Sequence, residues 1–141
     1  MAALVDTNIL VYRHDPRDPR KQRIAAEILR SGIAGDSIRI SYQAVIEFFN
    51  AVSRPLRGFG PLLDAAAATR ETEELLVQFI VLYPDEHVIR AALRATAAYQ
   101  LSCFDAQMWA CAEVNGLREI VSEDFQHGRF YGTVRAVDPF Q

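Results

Sequence analysis

The chain has 141 residues, half of them hydrophobic and 23% charged, with a formal net charge of -3. These are the values of a soluble globular domain able to bury about two thirds of its unfolded surface, so disordered and fibrous classes drop out and residues 1–141 are expected to form one domain. No apolar run approaches the ~20 residues that span a bilayer and no basic n-region precedes Asp6, which points to a cytoplasmic protein; the acidic balance argues against a generic polyanion coat but leaves room for a nucleic-acid enzyme with local basic patches.

Ala2 to Val5 is a short apolar run that stops at the carboxylate of Asp6, the pattern of a strand with an acid at its edge. Asn8 to Tyr12 forms a short helix halted by turns at Pro16 and Pro19. Ile24, Ala25, Ile28 and Leu29 recur at helical spacing from about Arg20, with Gly32 or Gly35 as the stop. Arg13, Arg17, Arg20, Lys21 and Arg23 crowd this segment against only Asp15 and Asp18, and Lys21 is the one lysine of the chain. A solvated face explains such a run; a preference for Arg also suits forked contacts to phosphate or carboxylate.

Ser37 to Ser41 alternates polar and apolar residues as a second strand, and a helix follows over Tyr42 to Ser53 with Pro55 ending it. Arg54 to Pro61 is a loop, and Pro61 suits the first turn of an Ala-rich helix that continues to about Phe79. Ile80 to Tyr83 reads as a third strand, cut by Pro84. Asp85 and Glu86 open a helix that buries Val88, Ile89, Ala92 and Leu93 and ends near Tyr99.

Ser102 to Val114 is a further helix with Met108, Trp109 and Ala112 in the core and Gly116 as its stop. Glu119 to Val121 is a fourth strand, Ser122 to Gly128 a turn, and Val134 to Val137 a fifth strand. Cys103 and Cys111 match no disulfide framework or C-x-x-C site and read as packing residues. Strands alternating with helices predict an α/β fold, a parallel sheet of four to five strands with helices on both faces.

Four acids fall at matching ends of these elements: Asp6, Glu47 within the third helix, Asp105 at the start of a later one, and Asp124 after the fourth strand. Each has a plain structural role available. Asp6 can cap the short helix behind it, Asp105 completes a Ser102-x-x-Asp105 capping box, Asp124 can cap a turn, and Glu47 can join Asn50 and Arg54 in a solvent stripe. Taken together, carboxylates crowded at one crevice repel one another, and hard divalent cations such as Mg²⁺ or Mn²⁺ relieve that repulsion. An ion held there would activate water against a phosphodiester. His14, His87 and His127 lack zinc-ligand spacing, and Walker, G-x-G-x-x-G and G-x-S-x-G motifs are absent. A strand-end Asp can also accept phosphate, although Asn8 stands where a dehalogenase-type phosphatase needs a second Asp.

LVDTNIL, VIEFFN, FDAQMWA and VSEDFQHG, in this order and spacing, resemble the PIN-domain ribonucleases, especially VapC-type toxins. The resemblance implies a three-layer α/β/α sandwich and cleavage of single-stranded RNA with Mg²⁺ or Mn²⁺. It makes Asp6, Glu47, Asp105 and Asp124 the acidic cluster, with Asp6 and Asp105 the direct ligands and Thr7 and Ser122 the supporting hydroxyls. It further implies homodimerisation and an antitoxin whose tail occupies the acidic groove. Arg13, Arg54 and Arg57 are then candidate contacts to the RNA backbone. Two alternatives stand beside this reading: a PIN-like module that binds RNA or protein without cutting, and a small-molecule phosphatase or phosphoacceptor using Asp6.

Overall fold

Leu4 and Val5 are fully buried in β1 (Ala3–Val5), the strand from which the sheet is built outward in both directions. The computed structural model describes residues 2–141. β1 pairs in parallel with β2 (Ile38–Ser41) on one side and with β4 (Glu119–Val121) on the other, setting Ala3 opposite Ile38 and Val5 opposite Val121. With β3 (Ile80–Leu82), β5 (Phe130–Tyr131) and β6 (Val134–Val137) the order is β3-β2-β1-β4-β6-β5. Successive crossovers first move outward to β3 and then jump back across β1 to β4. The order therefore reverses between β1 and β4, where a crevice opens beyond the strands' carboxyl ends.

Among the described residues six helices supply the outer layers: α1 (Thr7–Tyr12), α2 (Pro19–Gly35), α3 (Tyr42–Ser53), α4 (Ala65–Gln78), α5 (Glu86–Tyr99) and α6 (Cys103–Val114). Helices α1 to α4 pack with one another, and α5 packs with α6, as right-handed crossovers in opposite directions demand. Burial of Ala25 and Leu29, of Ala44, Val45, Phe48 and Val52, and of Val88, Ala92 and Ala95 follows the helical spacing of these residues. Met108, Trp109 and Ala112 are in the core as expected, and α6 is buried almost all round from Ala106 to Ala112. None of the described helices is long and apolar enough to cross a membrane.

Several sequence expectations are corrected. The sheet has six strands, not four to five, because Phe130–Tyr131 folds back antiparallel on β6. The fourth helix begins at Ala65, not near Pro61: the Asp64 carboxylate accepts from the Ala67 amide and caps it. Gly32 does not end α2. It is buried within the helix against Ile38, and α2 ends at Gly35, the other glycine expected as a stop, with Asp36 after it in the left-handed conformation. Cys103 is exposed, as are Ile89 and Leu93, whereas Cys111 is buried. His14 is half-buried against Phe48, with ring centroids 5.6 Å apart.

Candidate active site

Asp6 is the last residue before α1 and only 5% exposed, so its carboxylate must find its donors inside the protein. Oδ1 accepts from the Thr7 amide at 2.7 Å, which caps α1, and Oδ2 accepts from the Ser122 hydroxyl at 2.6 Å. The helix-cap role and a place in the crevice are thus compatible. Ser122 is itself fully buried at the end of β4, and its oxygen accepts from the Asp124 amide at 3.0 Å and from Asn8 Nδ2 at 3.4 Å. Asn8 Nδ2 also donates to Asp124 Oδ2 at 3.1 Å. Asp6, Asn8, Ser122 and Asp124 are therefore one hydrogen-bonded network spanning the ends of β1 and β4.

Of the other two acids, Glu47 on α3 is bonded to Thr7 beside Asp6, and Asp105 on α6 acts on the group through its charge. Glu47 lies half-buried on α3, where Val45 and Phe48 are buried but Ile46 and Phe49 are exposed. It takes the Thr7 hydroxyl on Oε2 at 2.8 Å and the Gln43 amide on Oε1 at 2.9 Å. Gln43 Nε2 also donates to the Phe104 carbonyl at 3.2 Å, bridging α3 to α6. Asp105 sits in the first turn of α6, whose cap Ser102 accepts the Asp105 amide at 3.1 Å.

Electrostatics tie the four together. Burial pushes the Asp6 carboxyl up to about 6 against the lowering effect of its Ser122 and Thr7 bonds, and the charges of Asp124 and Asp105 add to the rise. Asp105 is raised by burial and by Glu47. Asp124 is raised by burial and by Asp105, with smaller contributions from Glu123 and Glu47, opposed by its bond from Asn8. Asp6, Asp105 and Asp124 are thus each raised in part by the charge of a neighbouring acid.

That arrangement fits a hard divalent cation in its chemistry: oxygen donors, mutually repelling carboxylates, and beside them a buried Asn8 Oδ1 with no hydrogen-bond partner. The present spacing is open. Among the described residues no group of three or more His, Cys, Asp or Glu could hold an ion as placed, so full ligation needs side-chain rotation. Both oxygens of Asp6 already accept hydrogen bonds, from the Thr7 amide and the Ser122 hydroxyl.

An open cleft of about 330 Å³ leads away from the acids, lined by Thr7, Asn8, Tyr12, Arg17, Ala51 and Asp124 among others. Arg17 grips Asp15 with two bonds of 2.9 and 2.7 Å and lies over the Phe59 ring, linking the α1–α2 connection to the loop after α3. Arg54 and Arg57 are exposed on that loop. Arg13 does not line the cleft: its guanidinium is half-buried and near Glu71 of α4, and burial lowers its proton affinity. His127 accepts the Asp138 amide on Nδ1 at 3.0 Å and serves the turn. A larger cleft of about 680 Å³ between α5 and α6 contains none of the four acids, so the chemistry and not the volume locates the site.

Asn8 is the residue that sequence reasoning missed; its only signal was its place in the Asp6-Thr7-Asn8 triplet, which faces the crevice from the first turn of α1.

A family model described as "PIN domain" matches residues 3–132. No curated protein sequence matches the chain. Among solved structures, a toxin-antitoxin complex from Klebsiella pneumoniae superposes with a TM-score of 0.69 at 21% identity over 98% of each chain. DNA-bound VapBC from Salmonella typhimurium gives 0.72 at 14% identity over 99% of each chain. The sarcin-ricin-loop-cleaving toxin VapC20 from Mycobacterium tuberculosis gives 0.65 at 15% identity over 84% of this chain and 87% of its own.

Proposed function

The chain belongs to the PIN-domain family, and on that premise we propose that it is a divalent-metal-dependent endoribonuclease, the toxin of a toxin-antitoxin pair, cutting single-stranded RNA at the crevice where β1 and β4 end. The observation that carries this reading is the network of Asp6, Asn8, Ser122 and Asp124, with Glu47 and Asp105 close enough to raise neighbouring carboxyls.

Asp6 and Asp105 would hold Mg²⁺ or Mn²⁺, with Glu47 and Asp124 completing the set or orienting the attacking water. A bound ion supplies Lewis acidity toward the phosphodiester and a water acidic enough to attack it. Ser122 and the Thr7 amide fix the Asp6 carboxylate, and the Thr7 hydroxyl fixes Glu47, so both face the crevice in one orientation. Arg17 in the cleft and Arg54 and Arg57, on the loop whose Phe59 lies under Arg17, would contact phosphates as RNA enters.

Two partners follow. Structures similar to this chain include toxin-antitoxin complexes, and an acidic crevice invites a basic segment of such an antitoxin. Ile46, Phe49, Leu76, Tyr83, Ile89 and Leu93 are exposed, an amount of apolar surface that supports association with a second copy. We place the protein in the cytoplasm, where RNA and antitoxin would meet it.

The open spacing of the carboxylates favours one rival, a PIN-like module that binds without cutting. Purified protein incubated with a pool of structured RNAs in Mn²⁺, in EDTA and as Asp6→Asn separates the two. Cleavage that needs Mn²⁺ and disappears in the variant supports the nuclease; cleavage surviving Asp6→Asn overturns the site, and RNA binding without cleavage in Mn²⁺ establishes the rival.

A further inference from the structure

Three successive residues after β4 are anchored to three different places. Ser122 reaches Asp6 and Asp124 receives Asn8, but Glu123 between them bonds outside the cluster altogether. Its Oε1 accepts from the Tyr12 hydroxyl at 2.5 Å and its Oε2 from the Lys21 ammonium at 2.7 Å. Lys21 Nζ also donates to the Tyr12 oxygen at 3.2 Å, closing a triangle between α1, α2 and the loop. The side chains of Lys21 and Glu123 are 26% and 24% exposed, far more shielded than the 75% and 59% of the surface pair Arg30–Glu27, so this contact is less weakened by solvent.

Phe140 backs the triangle. Its ring meets Tyr12 edge-on at 5.2 Å and lies 5.1 Å from the Lys21 ammonium, while Arg20 donates to its carbonyl at 2.6 Å. Lys21 thus sits between two aromatic rings and a carboxylate, a site made for its single positive charge.

We propose that Tyr12, Lys21 and Glu123 form a positioning group that holds the Asp124 carboxylate at the metal-binding crevice. This rests on the nuclease reading above. Asp124 is exposed, accepts one side-chain hydrogen bond, from Asn8, and is repelled by Asp105, Glu47 and Glu123. Those charges push Asp124 away from the other acids, against the bonds that its side chain accepts from Asn8 and its amide donates to Ser122. Clamping the adjacent residue to α1 and α2 opposes that repulsion through the backbone, with Lys21 as the counter-charge to Glu123. None of the three side chains is assigned a contact with substrate.

The test measures Mn²⁺ affinity by electron paramagnetic resonance, kcat and KM on an RNA pool, and melting temperature, for the wild type and for Lys21→Met, Lys21→Arg, Glu123→Gln and the charge swap K21E/E123K. Lys21→Met and Glu123→Gln are expected to weaken Mn²⁺ binding and lower kcat by about 10- to 100-fold, as loss of an orienting partner does, with KM for RNA unchanged. Lys21→Arg should keep most of both, and the swap should recover part. If the variants, measured below their melting temperatures, bind Mn²⁺ and turn over like wild type, the triangle is only structural and the inference falls alone. A wild-type protein that neither binds Mn²⁺ nor cleaves RNA overturns the nuclease reading and this inference with it.

Discussion

The Thr7 hydroxyl donates to Glu47 Oε2 at 2.8 Å, so the residue next to Asp6 orients a second carboxylate carried by a different helix forty positions away. Its backbone amide meanwhile binds Asp6 itself, which gives one residue a hold on two of the four acids.

Thr7→Val keeps the shape and the amide but removes the hydroxyl. Glu47 would then retain only its bond from Gln43, and kcat is expected to fall by about tenfold or more with little change in melting temperature. Thr7→Ser should restore activity. A steady-state assay beside a thermal melt checks this, and an undiminished kcat in Thr7→Val would remove the Thr7 hydroxyl from the site.

The parts of this arrangement that the sequence made legible are those with a strong local signature. The apolar run ending at Asp6 marked both a strand and the end of it that opens on the crevice, and α3 spans the Tyr42–Ser53 that its spacing and Pro55 set. Local signals failed where a tertiary contact decides. β5 is two residues long, too short for any periodicity, and exists only by pairing with β6. Pro61 looked like a helix start, but a proline tolerates many loops, whereas the Asp64 side chain makes the cap. Arg13 belonged to a basic run with no indication of which member faced the cleft. Lys21 and Glu123 are separated by 102 positions, and no local pattern joins them.

Gly32 shows the same limit in the core. A methyl group there would collide with the Cδ1 and Cγ1 atoms of Ile38, so α2 approaches β2 closely only because residue 32 has no side chain. Gly32→Ala gains helix propensity but overpacks this contact, and a net loss of about 1–3 kcal/mol is expected by chemical denaturation. Combining it with Ile38→Val should recover part of the loss; stabilisation by Gly32→Ala alone would show that the two elements have room to separate.

Thiol chemistry should distinguish the two cysteines. Cys111 is buried on α6, and burial pushes its thiol up to about 11, while Cys103 is exposed at the start of the same helix. Since the thiolate is the reactive form, iodoacetamide at pH 8 is expected to label Cys103 alone in the folded protein and both in denaturant. Peptide mass spectrometry reads the outcome, and rapid labelling of Cys111 would mean that α6 opens on the timescale of the reaction.

The pH dependence of stability tests the electrostatics of Asp6 without any assay of function. Its carboxyl titrates at about 6 in the folded protein and near 3.8 when unfolded, chiefly because burial penalises the charge. Between those values the folded state holds the extra proton. The contribution to stability is therefore fully present below pH 3.8 and lost as pH rises through 6, a loss of up to about 3 kcal/mol in metal-free protein. Asp105 and Asp124 shift in the same direction, so the wild-type curve alone would not isolate Asp6. The difference between wild type and Asp6→Asn does: in EDTA the variant should be the more stable protein at pH 7.5, with the advantage shrinking toward pH 4. A divalent cation should reverse the ranking, because binding to the folded state at a thousand times its dissociation constant adds about 4.1 kcal/mol to the wild type, and the variant lacks the carboxylate that would take it. Denaturant melts at four pH values with and without Mn²⁺ measure both effects. Parallel curves for the two proteins in EDTA would show that Asp6 is as easily ionised as an exposed carboxylate, and that the crevice does not hold the strained charge on which a cation would act.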